Sequence, residues 1–220
     1  PLAALFGMPL ERHPSGMCKV VDARKISVAI VSGLPGERQR PCEVITAPLE
    51  ERRDEVLGLI CETARSLDFT VPLESATHIH YDAKALCSAG AISNVIRLFH
   101  RHGRFLRNHF KTNPACVRLG PWRKSLVKIV EHPGFGKLPW PDAVASLMAE
   151  KPVKYCDFNI LNMLAPSDGK CTFEIRILPT SLDAKSLVHT ARQFEGLLAW
   201  CADEAFPART IPASLDSLIP

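Results

Sequence analysis

The sequence predicts an α+β fold: a mainly antiparallel sheet with helices packed on one face. Three observations carry this reading. Short runs alternate apolar and polar residues with period two, as strands do. Longer runs between them repeat apolar residues at helical spacing, as amphipathic helices do. Strands and helices do not take regular turns along the chain and hairpin-like joins are present, which argues against a doubly wound parallel sheet.

In chain order, residues 1–7 read as the tail of a helix stopped at Gly7, and residues 8–17 as a loop holding Pro9, Pro14 and Gly16. Lys19–Asp22 and Lys25–Val31 read as strands, with Gly33-Leu34-Pro35-Gly36 as a turn. Cys42–Thr46 is a further short strand. Pro48 is expected to open a helix with Glu50 and Glu51 in its first turn, where the helix dipole favours acids. Val56, Leu57, Ile60, Ala64 and Leu67 form its apolar stripe, and it ends near Asp68. In the strand Thr77–Asp82, His78, His80 and Asp82 share one face while Ile79 and Tyr81 share the other. A long helix is expected from about Ala83 to Lys111, with a break near Gly103. Its apolar stripe is Ile92, Val95, Phe99, Leu106 and Phe110; its basic stripe is Arg97, Arg101, Arg104 and Lys111, most simply a solvated face.

Four prolines mark residues 112–140 as a long irregular loop. Pro141 starts a short helix to about Glu150, and Val153–Ile160 reads as a strand with Asp157 and Asn159 on one face. A turn at Ser167-Asp168-Gly169 leads into the strand Cys171–Pro179. There Phe173, Ile175 and Ile177 want a core, while Thr172, Glu174 and Arg176 lie on the open face. A last helix, Asp183 to about Ala205, buries Leu187, Val188, Ala191, Phe194, Leu197, Leu198 and Cys201; a proline-rich tail, residues 207–220, reads as a wrap or loose end.

With 46% hydrophobic residues, the 220-residue chain fits a single domain, 1–220, with a sizeable core. The net charge of +4 suits a small anionic ligand and does not call for nucleic acid. No apolar run approaches the roughly 18 residues of a membrane span, and the opening residues do not read as a signal peptide. The eight cysteines contain no CxxC pair and match neither a zinc site nor a dense disulfide framework, which points to the reducing cytoplasm. Oligomeric state is left open, a homo-oligomer included.

Four strands thus carry site-type residues opposite an apolar face: Glu43; His78 and His80; Asp157 and Asn159; Glu174 and Arg176. Gathered on one sheet face, they would cradle a divalent cation and a nucleotide phosphate, since hard cations take carboxylate oxygens and arginine grips phosphate in a fork. Lys154 could reach a phosphate, and Arg118, Arg123 and Lys124 in the long loop could clamp a substrate. The plainer reading of Glu174 and Arg176 is a cross-strand ion pair on a solvated face.

The segments Cys42–Leu49, Thr77–His80, Lys154-Tyr155 with Asn159, and Thr172–Asp183 resemble, in this order, the successive motifs of the amidoligase family, over roughly residues 40 to 205. That family belongs with the glutamine synthetase and glutamate–cysteine ligase fold of carboxylate–amine ligases. The resemblance implies a curved antiparallel sheet whose concave face binds ATP and two or more Mg²⁺ (or Mn²⁺), and an amide or peptide bond formed through an acyl phosphate from small-molecule or peptide carboxylates and amines. It implies Glu43, His78 and Glu174 as metal ligands. His80, Asn159, Lys154 and Arg176 would lie on the nucleotide, with Arg176 and Glu174 at the chemistry. Members open with a Glu-x-Glu strand. None precedes Glu43, so the chain is expected to lack its N-terminal strand. Two alternatives stay open: a zinc-dependent hydrolase using His78 and His80, and a non-catalytic binding module derived from the ligase fold.

Overall fold

The structure, a computed structural model, describes residues 2–5, 8–12, 14, 17–21, 27–33, 42–50, 52–72, 75–116, 119–167, 169–203, 210–216 and 218–219. The fold is α+β, with helices and two small antiparallel sheets. The chain forms two compact units: residues 1–70 with 182–188, and residues 71–181 with 189–220.

The first unit contains α1 (Leu2–Leu5), β1 (Leu10–Arg12), β2 (Cys18–Val21), β3 (Ser27–Gly33), β4 (Cys42–Thr46) and α2 (Arg53–Ser66). The four strands form an antiparallel meander in chain order. Each strand takes the partner nearest in sequence: Val20 faces Ala29, and Ser32 faces Glu43. A single sheet carrying all four polar strand faces is therefore corrected, because β4 pairs with β3 and not with the strands of the second unit. Glu43, Val44 and Ile45 are all exposed, so consecutive residues on both faces of β4 meet solvent. Helix α2 starts later than Pro48 suggests, and its first-turn acids are Asp54 and Glu55. Expectations on residues 22–26, 34–41 and Glu51 lie outside the described residues.

The second unit contains β5 (Ala76–Asp82), α3 (Ala89–His109), α4 (Lys124–Glu131), α5 (Trp140–Ala149), β6 (Phe158–Asn159), α6 (Leu161–Leu164) and β7 (Thr172–Pro179). Most of α7 (Ala184–Ala202) belongs to it as well. Its sheet has the order β5-β7-β6, antiparallel throughout, with β7 in the middle. The alternation read in β7 holds: Phe173, Ile175 and Ile177 are buried. Phe99 of α3 packs against Phe173. Its ring centroid lies 4.6 Å from Phe158, 5.3 Å from Phe173 and 6.3 Å from Phe194 of α7, within the range where aromatic pairs attract.

Several expected boundaries move. Helix α3 begins at Ala89 because the Ser88 side chain accepts a hydrogen bond from the Ala91 N–H and caps it there; Lys84–Leu86 form a separate 3-10 turn. It then runs unbroken through Gly103. The stretch 112–140 is not a loop throughout. Leu126, Val127 and Val130 give α4 a buried face, and a 3-10 turn follows at Phe135–Lys137. The prolines lie outside α4, so they end flanking segments without breaking it. The expected strand 153–160 shrinks to Phe158–Asn159, because its earlier backbone bonds elsewhere: the Cys156 N–H donates to the Lys154 carbonyl and the Asp157 N–H to that of Gly120. The tail wraps onto the unit. Ile211 and Leu215 are buried, and a His102 ring nitrogen lies 2.9 Å from the Pro212 carbonyl oxygen. Among the described residues no helix is long and apolar enough to cross a membrane.

Two helical glycines give a paired test. A Cβ at Gly103 would meet nothing within 4 Å, whereas one at Gly196 would lie 2.9 Å from the Leu218 carbonyl oxygen. Gly103→Ala is expected to stabilise by about 1 kcal/mol through helix propensity. Gly196→Ala is expected to destabilise by about 1–3 kcal/mol through the clash. Urea denaturation of the two variants checks both signs.

Candidate anion site around Glu174

The candidate site lies on the three-stranded sheet. Register puts His80 of β5, Glu174 of β7 and Asn159 of β6 in one cross-strand row. Side chains in such a row share a face about 5 Å apart. A bulge between Thr77 and Ile79 interrupts the β5 ladder at His78, which also comes to the same carboxylate.

The face is not open, as the alternation alone suggests. Only 6% of the Glu174 side chain is exposed, so its charge must be paired. Arg176 NH1 donates to Glu174 Oε1 at 2.5 Å, and Asn159 Nδ2 donates to Oε2 at 2.7 Å. His78 Nδ1 lies 3.4 Å and His80 Nε2 3.6 Å from Oε1. The imidazoles are the outer layer: 30% of the His78 side chain and 47% of that of His80 are exposed. Arg176 Nε is buried and has no hydrogen-bond partner among the described residues, so the guanidinium keeps an unspent donor.

Electrostatics set the state of His78. Burial, then the Arg176 charge, hold its pKa below the ordinary imidazole value; Glu174 opposes this and His80 adds to it. At neutral pH His78 is an uncharged ring beside a fixed cation.

Two further groups support the row. Asn162 Nδ2 donates to Thr172 Oγ1 at 3.0 Å, and Thr172 Oγ1 lies 3.3 Å from His80 Nδ1, which fixes that ring. The alternation of β7 places Thr172 on the Glu174 face; Asn162 sits on the short helix α6, which no periodicity announces. Beneath the row, Arg107 NH1 donates to buried Asp157 at 2.6 Å, and the Arg176 N–H donates to the Asp157 carbonyl. Burial raises the Asp157 pKa, against the pull of Arg107.

Other expected residues do not join the row. Glu43 is exposed on β4 in the first unit. The Lys154 ammonium lies over the Tyr155 ring, 5.3 Å from its centroid. Arg123 precedes α4 and reaches the Glu150 carbonyl at 3.5 Å. Arg118 lies outside the described residues. Asn159 is spent on positioning: besides Glu174, it receives the Leu161 N–H on Oδ1 at 3.0 Å.

Of the expected metal set, His78 and Glu174 lie together in the second unit, and Glu43 belongs to the first. Among the described residues no group of three or more His, Cys, Asp or Glu side chains is placed to hold a metal ion. Glu174 Oε1, the oxygen near both imidazoles, already accepts from Arg176, and a cation there would meet the guanidinium charge. Among the described residues, the groups around Glu174 therefore do not fit a resident divalent ion. What the arrangement can do is hold an anion: a guanidinium braced by Glu174, on a side chain 16% exposed, flanked by two accessible imidazoles.

No protein-family model matches the chain, and no curated protein or solved structure matches it.

Glu174→Gln is expected to cost about 3 kcal/mol, because it leaves Arg176 largely buried without its counter-charge. Asn159→Ala is expected to cost about 1–2 kcal/mol from the freed carboxylate oxygen; denaturant midpoints measure both. The lowered His78 pKa has a signed consequence. Below about pH 6.5 the unfolded chain binds a proton at His78 that the folded chain resists. Its contribution to stability is full above that value and is lost as pH falls toward the folded pKa. His78→Gln should flatten this part of the stability–pH curve; an unchanged slope would contradict the assignment.

Proposed function

We propose that this chain is an ATP-dependent carboxylate–amine ligase, with Arg176 and His78 of the second unit at the phosphoryl group. The observation that supports it best is the fork Glu174–Arg176–Asn159 bordered by His78 and His80, which is the order and spacing of groups in the segments that resemble amidoligases. On this reading the β5-β7-β6 sheet is part of a curved, glutamine synthetase-like sheet, and Mg²⁺ arrives as part of the Mg·ATP substrate. The substrate carboxylate attacks the γ-phosphorus, ADP leaves, and an acyl phosphate results. The amine then attacks the acyl carbon and expels phosphate, leaving the amide.

Arg176 stabilises the charge spread over the transferred phosphoryl oxygens, and its pairing with Glu174 means that it need not reorganise during the reaction. A neutral His78 adds a hydrogen-bonding group at the same place without repelling Mg²⁺. A cytoplasmic ATP pool and the free cysteines among the described residues suit this reaction.

Hydroxylamine gives a test that does not require the natural amine, because it traps acyl phosphates as hydroxamates. The complete chain with Mg·ATP, hydroxylamine and a panel of amino-acid and peptide carboxylates is expected to form hydroxamate and ADP in equal amounts. Arg176→Ala should lower kcat about 100- to 1,000-fold, and Arg176→Lys should recover only part of it, since an ammonium lacks the fork. No binding of Mg·ATP by the complete chain would overturn the proposal.

A further inference from the structure

Two thiols stand in contact at the base of this site. Cys87 Sγ and Cys171 Sγ are 3.3 Å apart, although 84 residues separate them in sequence. Cys87 closes the 3-10 turn Lys84–Leu86, its N–H donating to the Lys84 carbonyl. Cys171 immediately precedes β7, and its carbonyl accepts the Ala83 N–H at 2.9 Å. The Cys87 thiol also lies 3.3 Å from the Ala83 carbonyl. The two chain segments are thus tied together by backbone on the side where the sulfurs meet. Both cysteines are partly exposed, whereas Cys61, Cys156 and Cys201 are buried.

We infer that Cys87 and Cys171 are a reversible disulfide site that acts on His80, beside Glu174. A disulfide needs sulfurs about 2.05 Å apart, so closing the present gap takes a movement of little more than 1 Å. That movement pulls on Cys171, and the next residue, Thr172, carries the hydroxyl that holds His80. The bond itself does not rest on the ligase reading, and mapping it separates the failure of one from the failure of the other.

The oxidant is a small disulfide of the glutathione class. The Cys171 thiolate attacks one of its sulfurs and releases one glutathione thiolate. Cys87 gives its proton to solvent, attacks Cys171 and releases the second glutathione. Two electrons pass from the protein sulfurs to the glutathione sulfurs, and nothing else is consumed. Burial, then the neighbouring sulfur, push the Cys87 thiol up to about 12. It waits as a thiol, and the closing step should quicken as pH rises.

The test uses the complete folded chain, incubated with oxidised glutathione, alkylated without reduction and mapped by mass spectrometry. The expected product is a peptide pair joined through Cys87 and Cys171, lighter by two hydrogens and restored by dithiothreitol. Cys171→Ser should abolish it. In NMR spectra of the wild-type chain the His80 ring signals should shift on oxidation and return on reduction. Two outcomes overturn the inference at the bond: both cysteines stay alkylatable, or either keeps a glutathione adduct that never closes. A closed bond with unmoved His80 signals overturns the coupling to His80.

Discussion

An ionised carboxylate that is almost wholly out of water must be matched where it stands, and in this protein Glu174 is matched by Arg176. The pair is not a large source of net stability, because taking both charges out of solvent costs about what their attraction returns. Its effect is on geometry. Each partner would be strongly unfavourable alone, so the two side chains have few alternatives to the arrangement seen. Asn159 takes the second carboxylate oxygen and removes the remaining freedom. The guanidinium is then held in place, and the two imidazoles lie on the solvent side of the same oxygen.

The packing beneath explains how β7 can carry such a pair. Its other face belongs to the core, where Phe173 and Ile175 are fully buried and Phe173 lies against Phe99 of α3. A one-residue slip of β7 would send Phe173 and Ile175 to the polar side and Glu174 into hydrocarbon, so the apolar face sets the register and the register sets the site. The neighbouring strands follow: Asn159 and His80 stand opposite Glu174 because Phe158 and Ile79 stand opposite Ile175.

Much of this was legible in the sequence where a local rule decides. The period-two pattern of Thr172–Pro179 gave the strand and both its faces, and the stripe Ile92, Val95, Phe99 and Leu106 gave the buried side of α3. What could not be read depends on partners distant in sequence. Nothing local says that β4 pairs with β3 in a separate sheet from β5, β6 and β7, so alternation alone does not tell Glu43 from the other strand acids. Nothing local says that the polar face of β7 is covered, so alternation alone leaves Glu174 open. Lys154 to Asp157 have strand-like residues, yet their backbone bonds go to a loop. The helix α4 was hidden by prolines that flank it. Asn162 had no pattern to announce it, because its role comes from a single contact with Thr172.

The central claim is that the guanidinium of Arg176, braced by Glu174, is the anion-holding group. Its most direct test is an NMR titration of the complete chain with a non-hydrolysable Mg·ATP analogue, following arginine Nε–H and histidine ring signals. One arginine signal, assigned by its loss in Arg176→Lys, is expected to shift and to exchange more slowly with water, and the ring signals of His78 and His80 are expected to shift with it. Saturation with the analogue while these three signals stay where they were would contradict it.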